Sequence, residues 1–366
     1  MYIGIDTHKR QHVLVALDAH GHSLGTRAIA NTAEGWAHGL AWACQWPERV
    51  WGIENSGSLG KGIAQFLLTQ GETPVHEVSP HRTAQYRRRG RTQDKTDETD
   101  ALAIARLLLA EGETLPDVPR DDVSTELRLL SDHRDNLLAE KTRLINQLHG
   151  QMLQIDPSYK EKSGRLTATR GLVYCRDLVV LDADAVLQTR LLIVRQLAEQ
   201  ILRLEAEIAT VTAALTQRVQ ACHTPILAIH GVGAIVAARI LGELGVTPRI
   251  PSAAALAALA GIAPVAVSSG GRSGYRLNRG GNRQLNRAIH VIALTQRRCD
   301  PRAQAYFAKK RAEGKTKRAA LRCLKRRLVD VLYRTLPHGQ PAHPSLTGAP
   351  EVRTPPLPPA SAGAAA

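Results

Sequence analysis

Two short apolar runs, Tyr2-Ile3-Gly4-Ile5 and Val50-Trp51-Gly52-Ile53, each stop on an acid, Asp6 and Glu54. Runs of that length and composition read as buried strands. A second acidic pair, Asp97 and Asp100, opens the helical stretch "KTDETDALAIARLLLA", and a spacing of three puts both on one helix face. Carboxylates at two strand ends and one helix start can converge on a single point. Bringing them together is costly unless a cation sits between them, because neighbouring like charges oppose ionisation. Oxygen-only ligands suit Mg²⁺, with Mn²⁺ as the alternative. The quartet therefore reads as a candidate two-metal centre for phosphodiester chemistry. Each acid alone also has a plainer reading: Asp6 as a turn cap, Asp97 and Asp100 as a helix start favoured by the helix dipole. Asp94 and Glu98 compete as ligands, although Glu98 turns away from the Asp97/Asp100 face.

The surrounding pattern is α/β. Residues 2–6, 12–17 and 23–30 read as strands, with "DAHG" as a hairpin turn between the second and third. Helical patterns over 33–46 and 58–70 flank a strand at 50–54, and a further strand is expected in 73–80. An antiparallel opening followed by strand–helix units matches a ribonuclease-H-like order, one candidate among several α/β layouts. His8 and His12 read as surface residues of a strand-to-strand turn rather than as zinc ligands.

From about 122 to 220 the character changes. Leu130, Leu137, Leu144 and Leu148 mark one long helix. Val194, Leu197, Ile201, Leu204, Ile208, Val211 and Leu215 mark another, with gaps alternating three and four. That heptad seam argues for a coiled-coil arm, with pairing between chains favoured over an ordinary helical hairpin. Residues 221–335 read as a helical domain that turns strongly basic, and the Pro/Ala-rich tail 336–366 as disordered.

Charge points to the partner. The chain carries a net charge of +15, and residues 267–334 hold 19 Lys and Arg against three acids. Soluble chains this basic usually bind DNA or RNA. Six basic residues lie in "HRTAQYRRRGRTQDK" just before the Asp97/Asp100 pair, with Arg87, Arg88, Arg89 and Arg91 as candidate backbone contacts. In "ILAIHGVGAIVAARILGEL" a helix, a Gly-Val-Gly turn and a helix resemble a helix-hairpin-helix, whose Gly231 and Gly233 would let backbone N–H groups approach a phosphate. In "SSGGRSGYRLNRGGNRQLNR", Ser268 and Ser269 stand among Arg272, Arg276, Arg279, Arg283 and Arg287. Ser-Gly-Gly is ordinarily a flexible turn, but those arginines could neutralise a phosphate held against a serine oxygen and allow a covalent phosphoserine link.

Five scattered cysteines without zinc spacing imply a reducing cytosol and no structural zinc. The amino terminus enters a strand at once, without a signal peptide, and no apolar run reaches membrane-span length. A cytoplasmic protein with no membrane partner is expected.

"YIGIDTHK", "GIENSG", "KTDETDA", "IHGVGAIVAARILGELG" and "GIAPVAVSSGGR" follow one another in order. As a set they resemble the DEDD transposases of the insertion-sequence family numbered one-hundred-and-ten, also called bridge-RNA-guided recombinases, over roughly residues 1–335. The resemblance implies a RuvC-like domain at 1–118, a coiled-coil arm at 119–220 and a helical transposase domain at 221–335. It places the acidic quartet on Asp6, Glu54, Asp97 and Asp100, and the catalytic serine on Ser269, with Ser268 beside it. It further implies target and donor DNA, a noncoding bridge RNA that delegates specificity to base pairing, and a homo-oligomer, dimer or tetramer. In such an assembly the serine of one protomer meets the acids of another. The chain departs from the family where Ser58-Leu59 follow Gly57, a place often taken by an aromatic residue. Two other readings compete: a junction-resolving nuclease using metal-activated water, and a non-catalytic nucleic-acid-binding scaffold.

Overall fold

The structure, a computed structural model, describes residues 1–88, 96–246, 250–269, 272–278 and 280–337, with backbone alone for 267–269, 272–275 and 277. The chain divides into two compact units, Met1–Asp122 and Val123–Ala366.

The first unit is a sheet flanked by helices. Its elements are β1 (Tyr2–Thr7), β2 (Gln11–Leu17), β3 (Ser23–Ala30), α1 (Ala33–Ala43), β4 (Val50–Glu54), α2 (Lys61–Thr69), β5 (Val75–Val78), α3 (Pro80–Arg88) and α4 (Asp97–Glu111). The strand order is β3-β2-β1-β4-β5. Strands β1, β2 and β3 form an antiparallel meander, whereas β4 and β5 join in parallel. Every strand expected from the apolar pattern is present. Ile3, Ile5, Leu14, Trp51 and Ile53 are fully buried, as central strands covered by helices must be. The helix expected from residue 58 begins three residues later, because Asn55, in the left-handed region at φ 54°, turns the chain straight after Glu54.

Helix α4 lies unusually close to the sheet. A Cβ built on Gly4 would stand 2.3 Å from the Ala101 carbonyl oxygen, and one on Gly52 would meet the Leu108 side chain at 2.7 Å. Glycine at position 4 lets the α4 backbone approach β1, and glycine at position 52 leaves room on β4 for the Leu108 side chain. The start of α4 is set by Thr96, whose side chain accepts from the Thr99 N–H while the Thr99 hydroxyl accepts from the Thr96 N–H, a capping box.

The second unit holds α5 (Val123–Ile155), α6 (Tyr159–Ser163), α7 (Thr169–Arg176), α8 (Ala185–Ala221), α9 (Ala234–Leu244), α10 (Ala253–Leu259), β6 (Pro264–Ser269), β7 (Arg272–Leu277), α11 (Arg283–Cys299), α12 (Pro301–Ala312) and α13 (Lys317–Thr335). Arg218 binds Glu126, Arg134 binds Thr212, Lys141 binds Glu205 and Arg190 binds Gln151. Rising numbers on α5 thus meet falling numbers on α8, so the two run antiparallel. Val194, Ile201, Leu204 and Leu215 are buried within the chain, the first three in a cluster with Leu137, Leu144 and Leu148 of α5. The expectation that this seam pairs between chains is corrected to that extent. A heptad pattern specifies a face that needs cover, and α5 of the same chain supplies much of it.

A separate core joins α9, α11 and α13, with Leu241, Leu285, Ile289, Leu328 and Val329 at its centre. The segment before Gly231 also departs from expectation. It is a 3-10 turn, Pro225–Ala228, rather than an α-helix. His223 in the left-handed region (φ 45°) ends α8, and Pro225 leaves too few residues for a full helix before Gly231. Among the described residues no helix is long and apolar enough to cross a membrane.

Candidate active site

Parallel pairing sets Ile5 of β1 beside Ile53 of β4, so the next residues of the two strands, Asp6 and Glu54, emerge together at one end of the sheet. Both are buried, at 4% and 9% exposure. Burial pushes the Asp6 carboxyl above its usual range, against the pull of His8, and the charges of Asp100 and Asp97 add to the rise. Burial likewise raises Glu54 to about 6, helped by Asp6 and Asp100 and opposed by a hydrogen bond with the buried Thr83 of α3. Helix α4, pressed onto β1 through Gly4, delivers Asp97 and Asp100 to the same place. The four acids drawn from two strands and one helix therefore converge.

The cluster has a dry side and a wet side. Asp6 and Asp100 expose 6% and 13% of their side chains, Asp97 44% and His8 47%. The His8 ring bridges the two sides. Its Nε2 is 3.0 Å from Asp6 Oδ2 and 3.1 Å from Asp97 Oδ1. His12 does not lie on the surface as expected but is fully buried, its Nδ1 accepting from the His8 N–H at 3.3 Å. Strand β2 runs back along β1, which turns His12 inward while His8 stays at the rim. His8 was legible in principle, since strand side chains alternate and a residue two beyond Asp6 shares its side.

Arg87 also takes a place other than that expected. Its guanidinium pairs with Asp100, so its charge is already matched inside the cluster instead of facing solvent. Arg88 is exposed, while Arg89, Arg91 and Asp94 lie outside the described residues. Glu98 accepts from the Thr26 hydroxyl at 2.8 Å, away from the other acids.

Ser269 belongs to the second unit. It ends β6, paired antiparallel with Arg272 of β7, and Ser268 pairs with Ser273. The side chains of Ser268, Ser269 and Arg272 are not among those described, and Arg279 lies outside the described residues. Arg276 and Arg283 are exposed. Arg287 donates to Asp135 at 3.1 Å, and the same carboxylate meets the buried Arg239 at 3.0 Å. Gly231 sits at φ 85°, where a side chain would be strained. Gly233, exposed, caps α9 without any side-chain hydrogen bond, which leaves the first N–H groups of that helix open.

A carboxylate centre at the ends of parallel strands, on a strongly basic chain, is the layout of a metal-dependent enzyme of nucleic acid. Comparison with known proteins makes the class particular. A family model described as a transposase matches residues 3–157, and one described as the transposase IS116/IS110/IS902 family matches residues 223–308. The chain is 30% identical, over 67% of its length and 71% of the relative's, to the insertion element IS110 43.6 kDa protein of Streptomyces coelicolor. It is 27% identical, over 95% and 98%, to the insertion element IS900 42 kDa protein of Mycobacterium paratuberculosis. It is 28% identical, over 92% and 94%, to the insertion element IS116 44.8 kDa protein of Streptomyces clavuligerus. The chain belongs to the IS110/IS116/IS902 family of insertion-sequence transposases. It is thus a DNA transposase, and the DEDD centre of that family implies dependence on a divalent metal ion.

Proposed function

We propose that this transposase cuts and rejoins DNA by phosphoryl transfer, with Asp6, Glu54, Asp97 and Asp100 as its acidic centre and Ser269 as its nucleophile. The observation that carries the reading is the meeting of the four acids at one end of β1 and β4, where burial, together with the neighbouring acids, raises the Asp6 and Glu54 carboxyls above their usual range. Such a donor set fits a hard divalent cation, Mg²⁺ with Mn²⁺ as substitute. When bound, the ion supplies Lewis-acid neutralisation of charge on the reacting phosphate. Asp6, Glu54 and Asp97 would hold it, while Asp100 is paired with Arg87.

Ser269 Oγ attacks the phosphorus and gives up its proton, while one phosphorus–oxygen bond of the strand breaks and the departing oxygen leaves as a sugar hydroxyl. The phosphoserine conserves the bond energy. A hydroxyl of the incoming strand then attacks the same phosphorus and returns the serine. Ser268 is the neighbouring alternative. Arg272, Arg276, Arg279, Arg283 and Arg287 surround the serine segment in sequence and bind backbone, as do Arg88, Arg89 and Arg91 beside the acids. The open start of α9 after Gly231 and Gly233 receives a phosphate as a helix-hairpin-helix does.

The order β3-β2-β1-β4-β5, antiparallel and then parallel, supports a RuvC-like reading of residues 1–118. The α5–α8 pair supports a coiled-coil arm at 119–220, leaving 221–335 as the transposase domain. The resemblance adds a bridge RNA pairing with target and donor DNA. It also adds a homo-oligomer in which serine and acids from different protomers complete one site, at work in the cytoplasm.

The test is a nicked DNA substrate that traps a covalent adduct. The wild-type chain should form a protein–DNA species, Ser269→Ala should form none, and Asp6→Asn should lose cleavage altogether. A second reading, a junction-resolving nuclease with water as nucleophile, is favoured by the acids being assembled within the first unit alone. Normal cleavage by Ser269→Ala would select it.

A further inference from the structure

We propose that His8 is an imidazole ligand of the same centre and that it turns the ion preference of this transposase towards Mn²⁺. The inference rests on the acidic centre proposed above and concerns a residue outside its four acids. Nε2 of His8 lies 3.0 and 3.1 Å from oxygens of Asp6 and Asp97. Adjacent ligands of an octahedral ion with bonds of about 2.1 Å are separated by about 3 Å, so Nε2 stands at the spacing of a neighbouring ligand from each of the two oxygens. All of these ligand atoms lie within 4.8 Å of one another.

The local structure favours coordination over a simple hydrogen bond. A ring nitrogen carries at most one proton, yet Nε2 stands between two carboxylate oxygens, so donation could only divide a single N–H between them. A shared cation satisfies all three atoms at once. The ring is held by its own backbone, since the His8 N–H donates to His12 Nδ1 at 3.3 Å and to the Gln11 carbonyl at 3.1 Å. Asp100, on the same helix as Asp97, is engaged by Arg87, whereas Asp6, His8 and Asp97 each offer an atom to one small cluster. His8 and Asp97 are also the members open to solvent, the side from which an ion enters.

The consequence for selectivity follows from ligand chemistry. Mg²⁺ is bound through oxygen and gains little from a nitrogen donor, whereas later divalent ions accept imidazole readily. His8 therefore gives Mn²⁺ a bond that Mg²⁺ does not use to the same extent.

The experiment uses the full chain with Mn²⁺ alone as probe. Electron spin-echo spectra of the bound ion should carry nitrogen-14 modulation in the wild-type chain. The modulation should vanish in His8→Ala and His8→Asn, while Mn²⁺ still binds with an affinity about tenfold lower and Mg²⁺ affinity changes by less than about threefold. Because His8 is half exposed at a strand end, neither substitution removes core packing, and circular dichroism should match the wild-type spectrum. Modulation that is absent from the wild-type chain, or that persists in both variants, overturns the inference while leaving the acidic centre standing. Mn²⁺ binding indifferent to Asp6→Asn overturns both.

Discussion

The guanidinium of Arg87, at the end of α3, is bound to Asp100 in the first turn of α4. Among the described residues no Lys or Arg pairs with Asp6, Glu54 or Asp97, so the pair makes the cluster asymmetric. Arg87→Ala should destabilise the metal-free protein by about 1–3 kcal/mol, because it strands a largely buried carboxylate. The same change removes a positive charge from a cation site, so divalent-ion binding should tighten. Thermal denaturation with and without Mg²⁺, alongside titration calorimetry, reads both effects, and they should move in opposite directions.

Glu54 makes stability depend on pH in the sense opposite to an ion-paired acid. Its pKa is raised from 4.5 to about 6, so between those values the folded chain binds more protons than the unfolded one. Stability therefore declines as pH rises through that window, by about 2 kcal/mol in the metal-free protein, and stays lower above it. Asp6, raised in the same direction, adds to the decline. Denaturant melts from pH 4 to pH 7 should show the fall in the wild-type chain and a flatter profile in Glu54→Gln.

Gly4→Ala tests how α4 reaches the site. The added Cβ would meet the Ala101 carbonyl oxygen at 2.3 Å, and backbone cannot step aside as a side chain does. A loss of about 1–3 kcal/mol is expected. Divalent-ion affinity should fall with it, because Asp97 and Asp100 retreat from Asp6. Retained affinity in a folded Gly4→Ala chain would show that the helix is free to slide.

Arg283 and Arg287 share one exposed face of α11 but not one electrostatic state. Arg283 is exposed, whereas Arg287 is paired with Asp135. If both touch DNA backbone, Arg283→Ala should reduce the salt slope of DNA binding by about 0.9. Arg287→Ala should reduce it less, since part of its charge is spent within the chain. Binding isotherms at four salt concentrations would separate the two.

Much of this protein was legible before any coordinates. Strands in the first unit follow from apolar runs too short for helices, and α4 from its acidic start and the unbroken apolar stretch behind it. The seam of α8 was legible as a face but not as a contact, because periodicity is a property of one helix while cover depends on what packs against it. His12 was misplaced for a related reason. Just past the reversal of the chain it joins β2 with its side chain in the core, while His8 stays exposed in the turn, as expected.

By itself, the sequence determined the strands of the first unit and the long helices after it, where excess positive charge lies, and which acids were available. Those are consequences of local hydrophobic pattern and composition, readable residue by residue. Tertiary structure alone decided that Asp6 and Glu54 would be buried side by side, that Arg87 would answer Asp100, and that an imidazole would stand between Asp6 and Asp97. Those outcomes depend on parallel pairing of β1 with β4 and on a glycine that lets α4 come close, so they arise from distances between segments far apart along the chain.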